Sequence, residues 1–231
     1  MLYRLRVYGA DHVPASGGVV LAANHASFLD PPMIACAVPV RPLSFMAKAE
    51  LFRVPVFGAF IRALYAVSVV RRGLTRVQLG EFSSMVRDRG MALAVFPEGT
   101  RSPDGTLGPA HRGVGAICRM AGVPVIPVLI SGTWGAWPRF RLLPRPFGRI
   151  EVRFGPPVQW NNEELNATGD ASGALAARIM SRIADLQDRQ EAPLGWLEGF
   201  RRLLVRAVRP GRVQSMSQDD GVPGGYRGKS R

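Results

Sequence analysis

Asn24-His25-Ala26-Ser27-Phe28-Leu29-Asp30-Pro31-Pro32 follows the apolar run Val19-Val20-Leu21-Ala22-Ala23 and precedes Met33-Ile34-Ala35-Cys36-Ala37-Val38. The first run has the length and composition of a buried strand. Asp30 before Pro31 reads as a helix N-cap with proline at the first helical position. A helix therefore begins at Asp30, and residues 25–29 form the turn between strand and helix. On a regular helix His25 and Asp30 would lie about 140° apart and could not touch. In a turn they can. A carboxylate bonded to one imidazole nitrogen fixes the tautomer and steadies the imidazolium, leaving the other nitrogen as a general base. The same residues also fit a capping aspartate beside a hydrogen-bonded loop histidine. No Gly-x-Ser-x-Gly elbow or activated cysteine is present, so such a pair would act on a substrate hydroxyl rather than on a protein nucleophile.

Outward from this segment, short apolar runs alternate with helical patterns, the signature of an α/β layer fold. Strands are expected near 19–23, 43–47, 66–70, 92–96, 125–130 and 150–154. Helices are expected near 31–38, 56–64, 74–89, 112–121 and 172–189. Gly90 and Gly122 stand where a left-handed helix cap wants glycine. Residues 1–193 form one domain, a layered sheet with flanking helices. After Pro193 comes a basic amphipathic helix at 194–209, its arc of Trp196, Phe200, Leu203, Leu204 and Val208 facing away from Arg202, Arg206 and Arg209. It suits either a bilayer interface or the domain core. The tail, 210–231, has the composition of a disordered segment.

A second segment, Phe96-Pro97-Glu98-Gly99-Thr100-Arg101-Ser102, sits at the carboxyl end of an expected strand, where α/β sheets place ligands. Gly99 permits close backbone approach, Thr100 offers a hydroxyl, and Arg101 a planar fork suited to phosphate. A charged surface turn with an internal Glu98–Arg101 pair is the plainer reading.

Taken together, in this order and separation, the two segments resemble the glycerolipid acyltransferase family, which includes the bacterial 1-acyl-glycerol-3-phosphate acyltransferases. The resemblance spans roughly residues 3–160 and includes the stretch from Gly58 to Arg72, Val123-Pro124-Val125-Ile126-Pro127 and Ala47-Lys48-Ala49-Glu50-Leu51-Phe52. It implies that His25 deprotonates an acceptor hydroxyl, oriented by Asp30, for attack on an acyl thioester. Glu98, Gly99, Thr100 and Arg101 would then hold the acceptor head group, with Lys48, Arg71 and Arg72 adding positive charge around its phosphate. The implied donor is acyl-CoA or acyl carrier protein. The implied acceptor is lysophosphatidic acid, giving phosphatidic acid in phospholipid biosynthesis; another lysolipid, glycerol 3-phosphate or an amino-acid-based lipid would serve the same residues. A thioester hydrolase would use the same pair on water. The family's Phe-Lys-x-Gly is replaced by Ala110-His111-Arg112-Gly113, so His111 receives no role, and the hydrophobic N-terminal helix of many members is not expected here.

Charge names the class of partner. Thirty Lys and Arg against 17 Asp and Glu give a net +13 in 231 residues, which calls for a polyanion. Nucleic acid is disfavoured, because no helix-turn-helix, zinc spacing or RNA-binding aromatic pattern is present. An anionic membrane surface and phosphorylated substrates remain. Residues 54–70 carry Arg62 and Pro55, and 123–137 carry two prolines, so neither is a spanning helix. The expected location is peripheral, on the cytoplasmic face of a membrane. Cys36 and Cys118 read as inert core thiols. Nothing in the residues calls for a metal or cofactor.

Overall fold

Val20 and Ala22 face one side of β2 (Val19–Ala23) and Val19, Leu21 and Ala23 the other, and all five are buried. A strand apolar on both faces needs cover on both, and this one lies inside a sandwich of helices about a sheet. The structure, a computed structural model, describes residues 3–39, 41–53, 58, 66–69 and 75–187.

The described chain runs β1 (Arg4–Tyr8), β2, α1 (Asp30–Ala37), β3 (Leu43–Lys48), β4 (Ala66–Val69), α2 (Arg76–Arg87), β5 (Ala92–Val95) and α3 (Arg112–Ala121). It continues through β6 (Val125–Ser131), α4 (Thr133–Ala136), β7 (Arg149–Phe154), α5 (Asn162–Ala167) and α6 (Ala171–Ala184). The seven strands form one sheet in the order β1-β7-β6-β2-β5-β3-β4. Every pairing is parallel except β6 with β7. One core, containing Val20, Leu93, Val95 and Val125, packs beneath Phe82 and Val86 of α2, Ile117 of α3 and Leu175 and Ile179 of α6. The other, containing Leu21, Ala94, Ile126 and Val128, packs against Ile34 and Ala37 of α1.

All six expected strands and the helices at 31–38, 74–89 and 112–121 appear within a residue or two of their expected bounds. Of the strand expected at 66–70, Ala66–Val69 are described. The helix expected at 172–189 ends at Ala184. Gly90 and Gly122 are left-handed, with φ of +64° and +61°. β1 was not anticipated: its Arg4 and Arg6 alternate with Leu5 and Val7, as suits an edge strand with one face on the core. Among the short helices, α4 and α5 also escaped the periodicity. Cys118 is buried, but Cys36 is exposed on α1 and is no core thiol. The helix expected at 56–64, apart from residue 58, and residues 194–209 and 210–231 lie outside the described residues.

Parallel pairing is what assembles the site. Ala22 lies level with Val95, and Ala23 with Val128, so the carboxyl ends of β2, β5 and β6 emerge side by side on one edge of the sheet. The segments Asn24–Asp30 and Phe96–Ser102 therefore leave the sheet as neighbours.

Candidate active site

The turn after β2 is built around one buried carboxylate. Asp30 Oδ2 accepts hydrogen bonds from the backbone N–H groups of Ala26 and Ser27, both at 2.7 Å, and lies 2.8 Å from His25 Nδ1. Asp30 is the first residue of α1 rather than its N-cap, and makes no capping bond. Pro32 occupies one of the positions whose N–H groups a cap would satisfy, and proline has none, while the Met33 N–H bonds to Leu29 O. With nothing to cap, the carboxylate turns back into the 25–29 turn. Its other oxygen, Oδ1, is buried without a hydrogen-bond partner among the described residues.

His25 is the accessible member of the pair, its side chain 18% exposed against 0% for Asp30. Its ring stacks on Phe96, with centroids 4.0 Å apart and planes at 21°. With Nδ1 on the carboxylate and one ring face on Phe96, the imidazole has a fixed direction. Nε2 has no protein partner among the described residues and is available to a substrate.

Three long-range ties hold this turn to its neighbours. Asn24 Nδ2 donates to Ile130 O at 3.0 Å, while its Oδ1 accepts from Ile130 N at 2.7 Å, extending the β2–β6 ladder by one side chain. Glu98 Oε1 accepts from His25 N at 2.9 Å and its Oε2 from Gly108 N at 3.3 Å. Ser102 N donates to His25 O at 2.7 Å. Glu98 is thus not half of a surface pair with Arg101; both its oxygens are used on backbone, and it is buried. Burial pushes its carboxyl group above the usual range, and the two backbone hydrogen bonds and the charge of His25 only partly oppose this.

Gly99 has φ of +63°, and a β-carbon there would stand 2.7 Å from His111 Cδ2. Its missing side chain makes room for the protein's own histidine, whose N–H also bonds to Pro97 O at 2.8 Å. Thr100 is exposed beside it. Arg101 lies over Phe28, its Cζ 3.5 Å from the ring centroid. Phe28 in turn meets Trp137, with centroids 5.1 Å apart. Arg101 Nη1 is buried and has no hydrogen-bond partner among the described residues. Desolvation and the nearby Arg139 both weaken the guanidinium's hold on its proton, and Asp30 only partly offsets them. A cation in that setting is short of negative charge. Glu98, Thr100, Arg101, Ser102 and His111 border a cleft of about 330 Å³.

His25, Asp30, Glu98, Gly99, Thr100 and Arg101 are thus brought together. Lys48 ends β3 on the same edge of the sheet, and Arg71 and Arg72 lie outside the described residues. Asn24, Ser27, Phe28 and Phe96 were not singled out individually, although all four stand within the two motifs. A buried Asn at a strand end and aromatic residues flanking the histidine and arginine were the available signals.

The acyltransferase family model matches residues 4–131, more than half of the chain. The chain belongs to the acyltransferase family. Its relatives include 1-acyl-sn-glycerol-3-phosphate acyltransferases from Pseudomonas aeruginosa, 29% identical over 82% of this chain and 74% of that one. Another, from Limnanthes douglasii, is 25% identical over 72% of this chain. The chain spans 58% of the length of that plant relative. The crystal structure of the 1-acyl-sn-glycerophosphate acyltransferase PlsC from Thermotoga maritima aligns with a TM-score of 0.63 at 28% identity, over 82% of this chain and 75% of that one. The acyltransferase family match covers β1 through β6, and with them both motifs of the site.

Proposed function

We propose that this acyltransferase moves a fatty acyl group from acyl-CoA or acyl carrier protein to the free hydroxyl of 1-acyl-glycerol 3-phosphate, giving phosphatidic acid. The observation that carries the reading is the fixed His25–Asp30 pair, with Nε2 open to substrate, and between them in sequence Phe28, over whose ring lies Arg101, its buried Nη1 without a hydrogen-bond partner among the described residues. His25 Nε2 takes the hydroxyl proton as the oxygen attacks the thioester carbonyl. Asp30 stabilises the imidazolium that forms. Attack forms the new C–O bond; collapse of the tetrahedral intermediate re-forms the carbonyl and breaks the C–S bond, and the leaving thiolate takes the proton from His25. Arg101 holds the acceptor phosphate as a bidentate partner, with Thr100 beside it and Lys48, Arg71 and Arg72 contributing charge. Glu98 acts on the backbone of His25 rather than on substrate.

Among the described residues no helix is long and apolar enough to cross a membrane. The proposed working place is the surface of an anionic bilayer, where both the acceptor and the acyl chain reside. The direct test is thiol release from acyl-CoA with and without lysophosphatidic acid, other lysolipids and glycerol 3-phosphate. Release that depends on lysophosphatidic acid is expected. Equal release without any acceptor would mean hydrolysis instead, and preference for another acceptor would reassign the head group.

A further inference from the structure

Residues 138–148, Pro-Arg-Phe-Arg-Leu-Leu-Pro-Arg-Pro-Phe-Gly, join α4 to β7 and turn their large apolar side chains outward. Phe140 is 68% exposed, Leu142 89%, Leu143 74% and Phe147 85%. Folded domains do not gather four such residues in ten positions facing water without a use for them. The backbone gives a second sign. Phe147 is the one non-glycine residue with positive φ among the described residues, at +64°. A bulky residue in that region is strained where a glycine would not be.

The segment is not a loose flap. Arg145 N donates to Ala136 O at 2.7 Å, Tyr3 Oη to Arg145 O at 2.8 Å, and Trp137 Nε1 to Arg141 O at 3.0 Å. These bonds brace its base and leave the apolar tips projecting. Arg139, Arg141 and Arg145 alternate with the tips, and no acidic residue occurs from position 131 to 150. None of the three makes an ion pair among the described residues. Apolar side chains interleaved with unpaired arginines match the headgroup–acyl boundary of an anionic bilayer, which takes both in one layer.

Its place relative to the active site completes the argument. Ser27 pairs with Pro138, Ser27 Oγ donates to Trp137 O at 2.6 Å, and Arg139 reaches Arg101 O at 3.5 Å. The segment therefore grows directly out of the His25 turn and the Arg101–Phe28 contact. We propose that residues 138–147 are a membrane-docking loop that seats on anionic phospholipid and holds the His25 site at the lipid surface. This rests on the lysolipid acyltransferase reading for its purpose, but its binding to lipid can be measured without it.

The test uses the full chain and sedimentation with vesicles of phosphatidylglycerol and phosphatidylcholine, alongside pure phosphatidylcholine vesicles. Leu142→Ser/Leu143→Ser/Phe147→Gly removes three tips; glycine is at ease where Phe147 is strained, so folding is retained. Arg145→Gln removes charge, since its structural bonds are made by backbone atoms. The expected result is that the triple variant partitions onto anionic vesicles at least about tenfold less than the parent, with Arg145→Gln weakened there but not on pure phosphatidylcholine. Turnover with a short-chain, monomeric acceptor should be unchanged in both. Parental partitioning in the triple variant, or a parent that ignores anionic vesicles, overturns the docking loop. Acceptor-independent turnover would instead remove the lysolipid reading while the partition data still judged the loop.

Discussion

Asp30 Oδ2 stands 2.8 Å from His25 Nδ1 while also taking the N–H groups of Ala26 and Ser27. One oxygen atom therefore shapes the turn and orients the base. The two tasks separate by substitution. Asp30→Asn retains an acceptor oxygen for the turn but cannot match the carboxylate beside an imidazolium, so kcat should fall by about 10²–10⁴-fold with the fold kept. Asp30→Ala leaves buried N–H groups unsatisfied and should also lose about 2–4 kcal/mol in urea denaturation.

Arg101→Lys replaces a planar fork lying over Phe28 with a point charge. The expected signature is a raised acceptor KM, by roughly tenfold for one lost charge-assisted bond, with donor KM little changed. Phe28→Leu should move acceptor KM the same way by a smaller factor, because it removes the platform and not the charge. A shift in donor KM alone would place Arg101 on the thioester side.

Glu98 makes a pH prediction. Its folded-state carboxyl group is raised by burial, so between the ordinary glutamate value and the raised one the native state binds more protons than the unfolded chain. Its contribution is therefore fully present below the unfolded value and is lost as pH rises through the folded one. Carboxylates held low, such as Asp104 and Glu151, act in the opposite sense. Comparing Tm for the parent and Glu98→Gln from pH 4 upward cancels them. The parent should lose ground to the variant as pH rises through that window.

Gly99 and His111 form a testable pair. Gly99→Ala should destabilise by about 1–2 kcal/mol from its left-handed φ alone, and further from contact with the His111 ring. Adding His111→Ala should recover only the second part, giving a coupling on the order of 0.5–1 kcal/mol in a double-mutant cycle.

The α/β layers were legible because β2, β5 and β6 are short apolar runs with turn residues at their ends. The His25–Asp30 contact was legible because it is local: a proline-started helix leaves a turn of only a few residues between them. The reading of Asp30 as a helix cap failed for an equally local reason, since Pro32 offers it no N–H and the Met33 N–H bonds to Leu29 O. Glu98 was placed at the head group by the resemblance alone; that its oxygens take His25 N and Gly108 N was not foreseen. That use depends on β2 and β5 lying side by side, which no spacing within either motif reveals. The Asn24–Ile130 pair spans 106 residues and is hidden for the same reason. β1 went unnoticed because an edge strand with arginine at alternate positions carries half the apolar signal of a central one.

The central claim is that His25 is the general base. The most direct measurement is single-turnover acyl transfer from acyl-CoA to lysophosphatidic acid by purified His25→Ala, with folding checked by thermal denaturation of the same sample. His25 packs on Phe96 but is partly exposed, so its loss should shift Tm by only a few degrees. The account predicts a folded protein whose transfer rate has fallen by at least about 10²–10⁴-fold. A folded His25→Ala that transfers at close to the parental rate would contradict it.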